Sequence, residues 1–102
     1  MYKYKATVLK VIDGDTVKLT IDLGFRLSYT ANCRMAAINA PEMSEDAGKA
    51  SRAALMEYLP VGEIVDIIST GLDKYGRPIV VIKANGTDIN IKMITQGFAV
   101  KY

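Results

Sequence analysis

The reversal at Asp13-Gly14-Asp15 constrains this chain most. Before it, residues 3 to 12 are rich in lysine and β-branched side chains; after it, Thr16-Val17-Lys18-Leu19-Thr20-Ile21 alternates polar and apolar with period two. Two strand-like runs joined through an Asp-Gly pair are a hairpin signature. Gly14 is expected to take the positive φ that such a reversal or bulge needs. A second break at Asp22-Leu23-Gly24 leaves Phe25 to Met35 for a third strand, so the first third of the chain reads as a meander. Within that segment Phe25 and Leu27 are expected to fill the core, an exposed apolar contact being the other reading. The apolar run Met35 to Ile38 then reads as buried strand that stops near Asn39, because Pro41 has no N–H for a ladder and pushes Ala40 out of the helical region. Asn39 and Glu42 therefore sit on irregular backbone at a strand end, a place where sites tend to be built.

Ser44-Glu45-Asp46 opens a helix: Ser44 suits an N-cap and the two acids lie where the helix dipole favours negative charge. Ala47, Ala50, Ala54, Leu55, Tyr58 and Leu59 recur at helical spacing, which predicts an amphipathic helix of about four turns ending before Pro60. Its alanines suggest close packing on a sheet. After a turn at Val61-Gly62, Glu63 to Ser69 reads as a fourth strand, Gly71 to Pro78 as a charged loop and Ile79 to Lys83 as a fifth strand. Asn85-Gly86 turns the chain again. Thr87 or Asp88 can cap a short helix with Ile89, Met93 and Ile94 on one side, Gly97 stops it, and Phe98-Ala99-Val100 reads as a strand-like tail. This order suits a small closed or partly closed barrel of the OB type, while an open α+β sheet with the helix on one face fits the pattern equally.

With 102 residues, 50% apolar and 24% charged, the chain is expected to form one domain around a single core. There is no histidine, which excludes histidine general bases, His-bound zinc and Ser-His-Asp triads. The single cysteine, Cys33, rules out an intramolecular disulfide, suits a reducing compartment and reads as a small buried hydrophobe. Met1-Tyr2-Lys3-Tyr4-Lys5 leads into strand-like sequence rather than an apolar leader segment, and no apolar run reaches membrane-spanning length. The chain as given is expected to be cytoplasmic and to have no membrane partner; a removed leader would leave secretion open. A net charge of +2 favours a polyanion only weakly, and what matters is whether Arg34, Arg77, Lys74 and Lys101 converge.

Three clusters carry chemistry: Asp13-Gly14-Asp15-Thr16, Arg34 with Asn39, Ala40 and Glu42, and Asp73-Lys74-Tyr75-Gly76-Arg77. Each alone reads as a turn, a loop opening or a solvated charged loop. Together they make the parts of a metal-assisted phosphodiesterase without histidine. A hard cation such as calcium takes oxygen ligands, and Asp15, the Asn39 side-chain oxygen and the Ala40 carbonyl are candidate donors. Glu42 is a candidate to hold a metal-associated water or take its proton. Arg34 and Arg77 offer planar forks for a phosphodiester and charge for its transition state.

Val11-Ile12-Asp13-Gly14-Asp15-Thr16-Val17-Lys18-Leu19, Arg34 with Asn39-Ala40-Pro41-Glu42, Asp73-Lys74-Tyr75-Gly76-Arg77 and Gln96-Gly97-Phe98-Ala99 resemble, in order and over nearly the whole chain, the motifs of the staphylococcal (micrococcal) nuclease, or thermonuclease, family. The resemblance implies a mainly β (α+β) fold, a five-stranded OB-fold barrel with one packed helix and a short C-terminal helix. It also implies calcium-dependent hydrolysis of DNA and RNA, cleaving the 5′ P–O bond and leaving 3′-phosphate ends. By position it implies calcium ligation by Asp15 with Asp13 supporting from behind, general-base work by Glu42, and a grip on the scissile phosphate by Arg34 and Arg77. Lys74 and Tyr75 match residues that contact the neighbouring phosphate, and Tyr102 lies near the place of a substrate-stacking tyrosine.

Asn39-Ala40-Pro41-Glu42 stands where the best-studied members have Asp-Thr-Pro-Glu. The neutral Asn39 is expected to weaken binding of calcium, or of another divalent cation, because affinity follows ligand charge. The sequence ends at Tyr102, before the further aromatic residues and long C-terminal helix of larger members; lower stability, looser substrate binding or self-association into a homo-oligomer is expected. With no tryptophan, two phenylalanines and no long basic recognition helix, base readout is not expected, and single-stranded or frayed DNA, or RNA, suits a small OB groove. Two other readings stand beside the nuclease. One is a nucleic-acid-binding module with negligible catalysis, against which the Asp15 and Glu42 carboxylates argue, since they would repel bound phosphate. The other is a scaffold that uses the apolar hairpin.

Overall fold

Strand β1 (Tyr2–Asp13) is long enough to serve two halves of a barrel. In the structure, a computed structural model that describes residues 2–102, β1 pairs antiparallel with β2 (Thr16–Gly24) from Lys5 onward and with β5 (Ile64–Leu72) from Tyr2 to Thr7. A register shift between Val8 and Lys10 bends it between the two partners. β3 (Leu27–Met35) pairs with β2, and β6 (Pro78–Ala84) with β5. The order β3-β2-β1-β5-β6 closes where β3 meets β6 in parallel, Arg34 opposite Ile79 and Met35 opposite Val80. That closure makes the barrel, and the open-sheet alternative falls. Two-residue strands lie beside it: β4 (Ile38–Asn39) pairs with β8 (Val100–Lys101) in a separate sheet, and β7 (Thr87–Asp88) pairs antiparallel with the end of β6.

Period-two alternation fills the interior. Val17, Leu19 and Ile21 of β2 are buried while Lys18 faces solvent, and Val65, Ile67, Val80 and Ile82 meet them from the other side. Fully burying one such aliphatic side chain contributes ~1.5–3 kcal/mol. Helix α1 (Asp46–Tyr58) lays Gly48, Ser51, Ala54 and Leu55 against the barrel, and α2 (Ile89–Thr95) buries Ile89, Asn90 and Met93. Asp88 caps α2 by accepting from the Ile91 N–H at 3.0 Å, and Gly97 follows its end with φ +81°. Cys33 is fully buried, and burial pushes its thiol up to about 11, which leaves it unreactive. Among the described residues no helix is long and apolar enough to cross a membrane.

Several local expectations are corrected. Gly14 does not have positive φ; it is glycine because a Cβ there would collide with the Ser51 hydroxyl and lie 2.8 Å from Ala40 Cβ. Ser44 is not the N-cap of α1. Glu45 holds that position without a side-chain cap bond, and Gly48 sets the start by packing against the Pro41 and Glu42 carbonyls, where a Cβ would not fit. The run Met35 to Ile38 is not one strand: Ala37, at φ +62°, turns the chain between β3 and β4. Phe98 and Ala99 are not strand, because both donate their N–H groups to the Met93 carbonyl, at 2.9 and 3.1 Å, and stay on the end of α2. Phe25 and Leu27 do not fill the core; they are 98% and 62% exposed.

Candidate active site

Barrel closure decides which side chains meet. At the β3–β6 junction Met35 and Val80 are buried, so their neighbours Arg34 and Ile79 face outward, and Arg77, two residues before Ile79, shares that outer side. A groove of about 580 Å³ opens there, lined by Arg34 to Ala37, Asp73 to Tyr75, Arg77, Ile79 and Tyr102. The structure therefore brings together Arg34, Arg77, Lys74, Tyr75 and Tyr102. Lys101 is not among the lining residues. The cations lie over exposed rings: Arg34 5.8 Å from the Tyr102 centroid, Arg77 and Lys74 5.5 and 5.2 Å from that of Tyr75. Such contacts are worth ~0.5–1 kcal/mol each at exposed sites, enough to orient the rings while leaving the groove open.

Arg34 is fixed by the backbone it arises from. Its Nη1 donates to the Met35 carbonyl at 2.9 Å and its Nη2 to the Ile38 carbonyl at 2.8 Å. The same Nη2 lies 3.5 Å from both Asp15 Oδ2 and Asn39 Oδ1. Asp15 itself is buried, with Oδ2 accepting from the Ala40 N–H at 2.9 Å and Oδ1 from Thr16 Oγ1 at 3.2 Å. Burial alone would raise its pKa, but the hydrogen bond from Asp13, the Ala40 amide, the Arg34 charge and Thr16 outweigh it and hold the carboxyl below the usual range. Asp13 moves the other way. Burial first, and its hydrogen bond to Asp15 second, raise it to about 6, so below about pH 6 the pair holds one proton on Asp13 and the charge on Asp15.

The Asp73–Arg77 loop is built around its first residue. Asp73 Oδ1 accepts from the Tyr75 and Arg77 N–H groups, each at 2.9 Å, and Oδ2 from Arg77 Nε at 2.7 Å. Among the described residues no hydrogen bond uses the Arg77 Nη groups. Asp73 was not singled out as a positioning residue; an Asp opening a Gly-containing loop is the Asx-turn signal that could have found it.

On the carboxylate side the placement is looser. Asn39 is exposed, and it is the Ala40 N–H, not its carbonyl, that faces Asp15. Glu42 is exposed, outside the set lining the groove; its backbone is pinned, its carbonyl accepting the Glu45 N–H at 3.0 Å. Asn90 was missed altogether. Buried on α2, it accepts from the Ile82 N–H and donates to the Ala36 and Val80 carbonyls, all at 3.0 Å, tying the groove floor to β6. Its sequence signal is a lone amide on an apolar helix face.

Asp15 Oδ2 and Asn39 Oδ1 each lie 3.5 Å from the cationic Arg34 Nη2, and both are donors of the kind hard cations choose. By donor chemistry alone the two oxygens suit such an ion, with one ionised carboxylate between them. Among the described residues no group of three or more His, Cys, Asp or Glu side chains could hold a metal.

The closed barrel, with flat rings beside guanidinium groups on its rim, defines an OB-fold protein with a cationic, aromatic groove. Residues 32–102 match the family described as staphylococcal nuclease homologue, and the chain belongs to that family. It is also 31% identical over 100 residues to a protein of Haemophilus influenzae (strain ATCC 51907 / DSM 11121 / KW20 / Rd) described as an uncharacterized endonuclease. That match covers 98% of this chain and 53% of the other protein, so the chain spans about half the length of this curated relative.

Proposed function

We propose that the chain is a nuclease that hydrolyses phosphodiester bonds of single-stranded or frayed DNA, or RNA, with calcium and little sequence preference, leaving 3′-phosphate ends. The observation that carries this reading is the convergence of Arg34 and Arg77 on one groove beside an ionised Asp15. Arg77 Nη groups and the outer edge of Arg34 bind the scissile phosphate; both are held by neighbouring groups, so little ordering is needed when charge develops on the phosphoryl oxygens. Tyr75 and Tyr102 stack flanking bases, and Lys74 meets the adjoining phosphate. Water adds to phosphorus as its proton passes to Glu42, and the P–O5′ bond breaks with the leaving oxygen taking a proton from solvent. A cation held by Asp15 and Asn39, when bound, supplies charge neutralisation and a more acidic water.

The single carboxylate at the cation position supports a second reading, a module that binds nucleic acid and cleaves it negligibly. One experiment separates the two: cleavage of a fluorescent single-stranded oligonucleotide across a calcium titration, with Glu42→Gln and Arg34→Ala alongside. Calcium-dependent cleavage abolished in both variants supports the nuclease. Retardation of the oligonucleotide without cleavage, in millimolar calcium or manganese, replaces it with the binding module.

A further inference from the structure

Every residue from Asp22 to Thr30, along the β2–β3 hairpin, is exposed. The tip of this arm is strained. Phe25 and Arg26 form its two-residue loop with φ of 55° and 64°, left-handed values that such loops normally take with Asn-Gly, and side chains there cost ~1–2 kcal/mol per residue. Phe25 is 98% exposed, so no contact inside the fold offsets that strain.

Two further features share the arm. Tyr29, opposite the buried Ile21, carries the inner face outward with Leu23, and these two border an apolar groove of about 250 Å³ with Tyr2 and Leu72, no charged side chain taking part. The outer edge of β3 is also unpaired: among the described residues β3 meets β6 only at Arg34 and Met35. The free stretch, Leu27-Ser28-Tyr29-Thr30-Ala31-Asn32-Cys33, has no lysine, no other charge and no proline, the devices by which edge strands avoid pairing.

We propose that this arm is a homodimer surface, on which β3 of a second copy pairs antiparallel across a two-fold axis. The area fits. At exposures of 98% for Phe25, 62% for Leu27, 47% for Tyr29, 43% for Leu23, 61% for Tyr2 and 65% for Leu72, these residues expose on the order of 800 Å², a ceiling on what one copy can bury here that reaches the ~800 Å² share of a standard interface. A two-fold contact uses the same strand on both copies and closes on itself, so association stops at two. The longest overlap of the free edge sets Leu27 against Cys33 of the second copy, with Thr30 on the axis. An uncharged face selects another apolar strand over a polyanion, and the surface is independent of the nuclease reading.

Sedimentation of the 102-residue chain from low micromolar to submillimolar concentration tests this, with three variants. The chain is expected to dimerise and go no further. Leu27→Lys, at an exposed edge position, should weaken the dimer at least tenfold with its melting temperature in the monomer unchanged. Phe25→Asn with Arg26→Gly gives the loop its preferred residues, and should raise monomer stability while also weakening the dimer. Thr30→Cys should form a disulfide-linked dimer on mild oxidation, and Lys49→Cys, on α1, should not. A monomer throughout the range, an open-ended series of oligomers, or a dimer indifferent to Leu27→Lys would overturn the proposal.

Discussion

Adding one methyl group at Gly14 tests how the Asp15 segment is held. The new Cβ would collide with Ser51 Oγ and lie 2.8 Å from Ala40 Cβ and 2.9 Å from Ser51 Cβ. None of these atoms ends a flexible chain: Ser51 is fully buried on α1, and Ala40 donates its N–H to Asp15. Overpacking of this kind costs ~1–3 kcal/mol, and two sub-3 Å contacts beyond the hydroxyl put Gly14→Ala near the upper end. Ser51→Gly removes the hydroxyl and the Cβ together, at ~1 kcal/mol for glycine within a helix. The Ser51 hydroxyl is buried without a hydrogen-bond partner, so Ser51→Ala alone should be neutral or stabilising by ~1 kcal/mol. The double variant Gly14→Ala/Ser51→Gly should be more stable than the sum of its parts by at least ~1 kcal/mol. Urea unfolding followed by circular dichroism, with an unchanged m value, measures each corner of the cycle. Additivity within ~0.5 kcal/mol would refute the contact, because the two sites would then not touch.

Asn90→Ala leaves the buried Ile82 N–H without its acceptor and should cost ~3 kcal/mol, with oligonucleotide affinity falling several-fold as Ala36 loses its tie; equal affinity would detach α2 from the groove. Asp13, raised to about 6 by burial and by Asp15, binds its proton more tightly folded than unfolded. It therefore adds stability that is full below about pH 4 and lost as pH rises through about 6; Asp13→Asn should flatten that part of the stability–pH curve, as seen in urea midpoints from pH 4 to 8. Asn39→Asp restores a negative charge beside Asp15 and should tighten calcium binding by about tenfold, read as a larger calcium-induced rise in melting temperature.

The five long strands, the two helices and the turn at Asn85-Gly86 were legible because each rests on period or on turn chemistry within a few residues. What the sequence pattern hid is where a local preference yields to a distant neighbour. Gly14 looks like a turn glycine and is one that α1 presses against. Ala37 sits in a straight apolar run, yet it turns at φ +62° because the Val80 carbonyl takes the Ala36 N–H at 2.7 Å and the Tyr102 N–H donates to the Ala37 carbonyl at 3.0 Å. Phe25 reads as core and lies at a loop tip, since hydrophobicity does not report on which side of a barrel wall a strand runs out. The five cationic and aromatic groove residues were all named, because their types state their chemistry. Of the residues that position them, Asp73 was named only as part of its loop and Asn90 not at all, because their value lies in backbone groups that only folding brings within reach.

The site stands on two separate supports. Small residues on α1 hold the carboxylate-bearing segments: Ser51 against Gly14 beside Asp15, and Gly48 against the backbone of Glu42. Barrel closure and Asn90 hold the guanidinium side, Arg34 beside Ile79 and the Ala36 turn tied to β6. Arg34 bridges the two through Asp15, at 3.4 Å to its carbonyl and 3.5 Å to its carboxylate. Those distances are long for charge-assisted bonds, so the bridge couples the supports without locking them. A disturbance confined to α1 should then displace Asp15 and Glu42 while Arg34, Arg77 and the tyrosines keep their places, which separates loss of turnover from loss of nucleic-acid affinity.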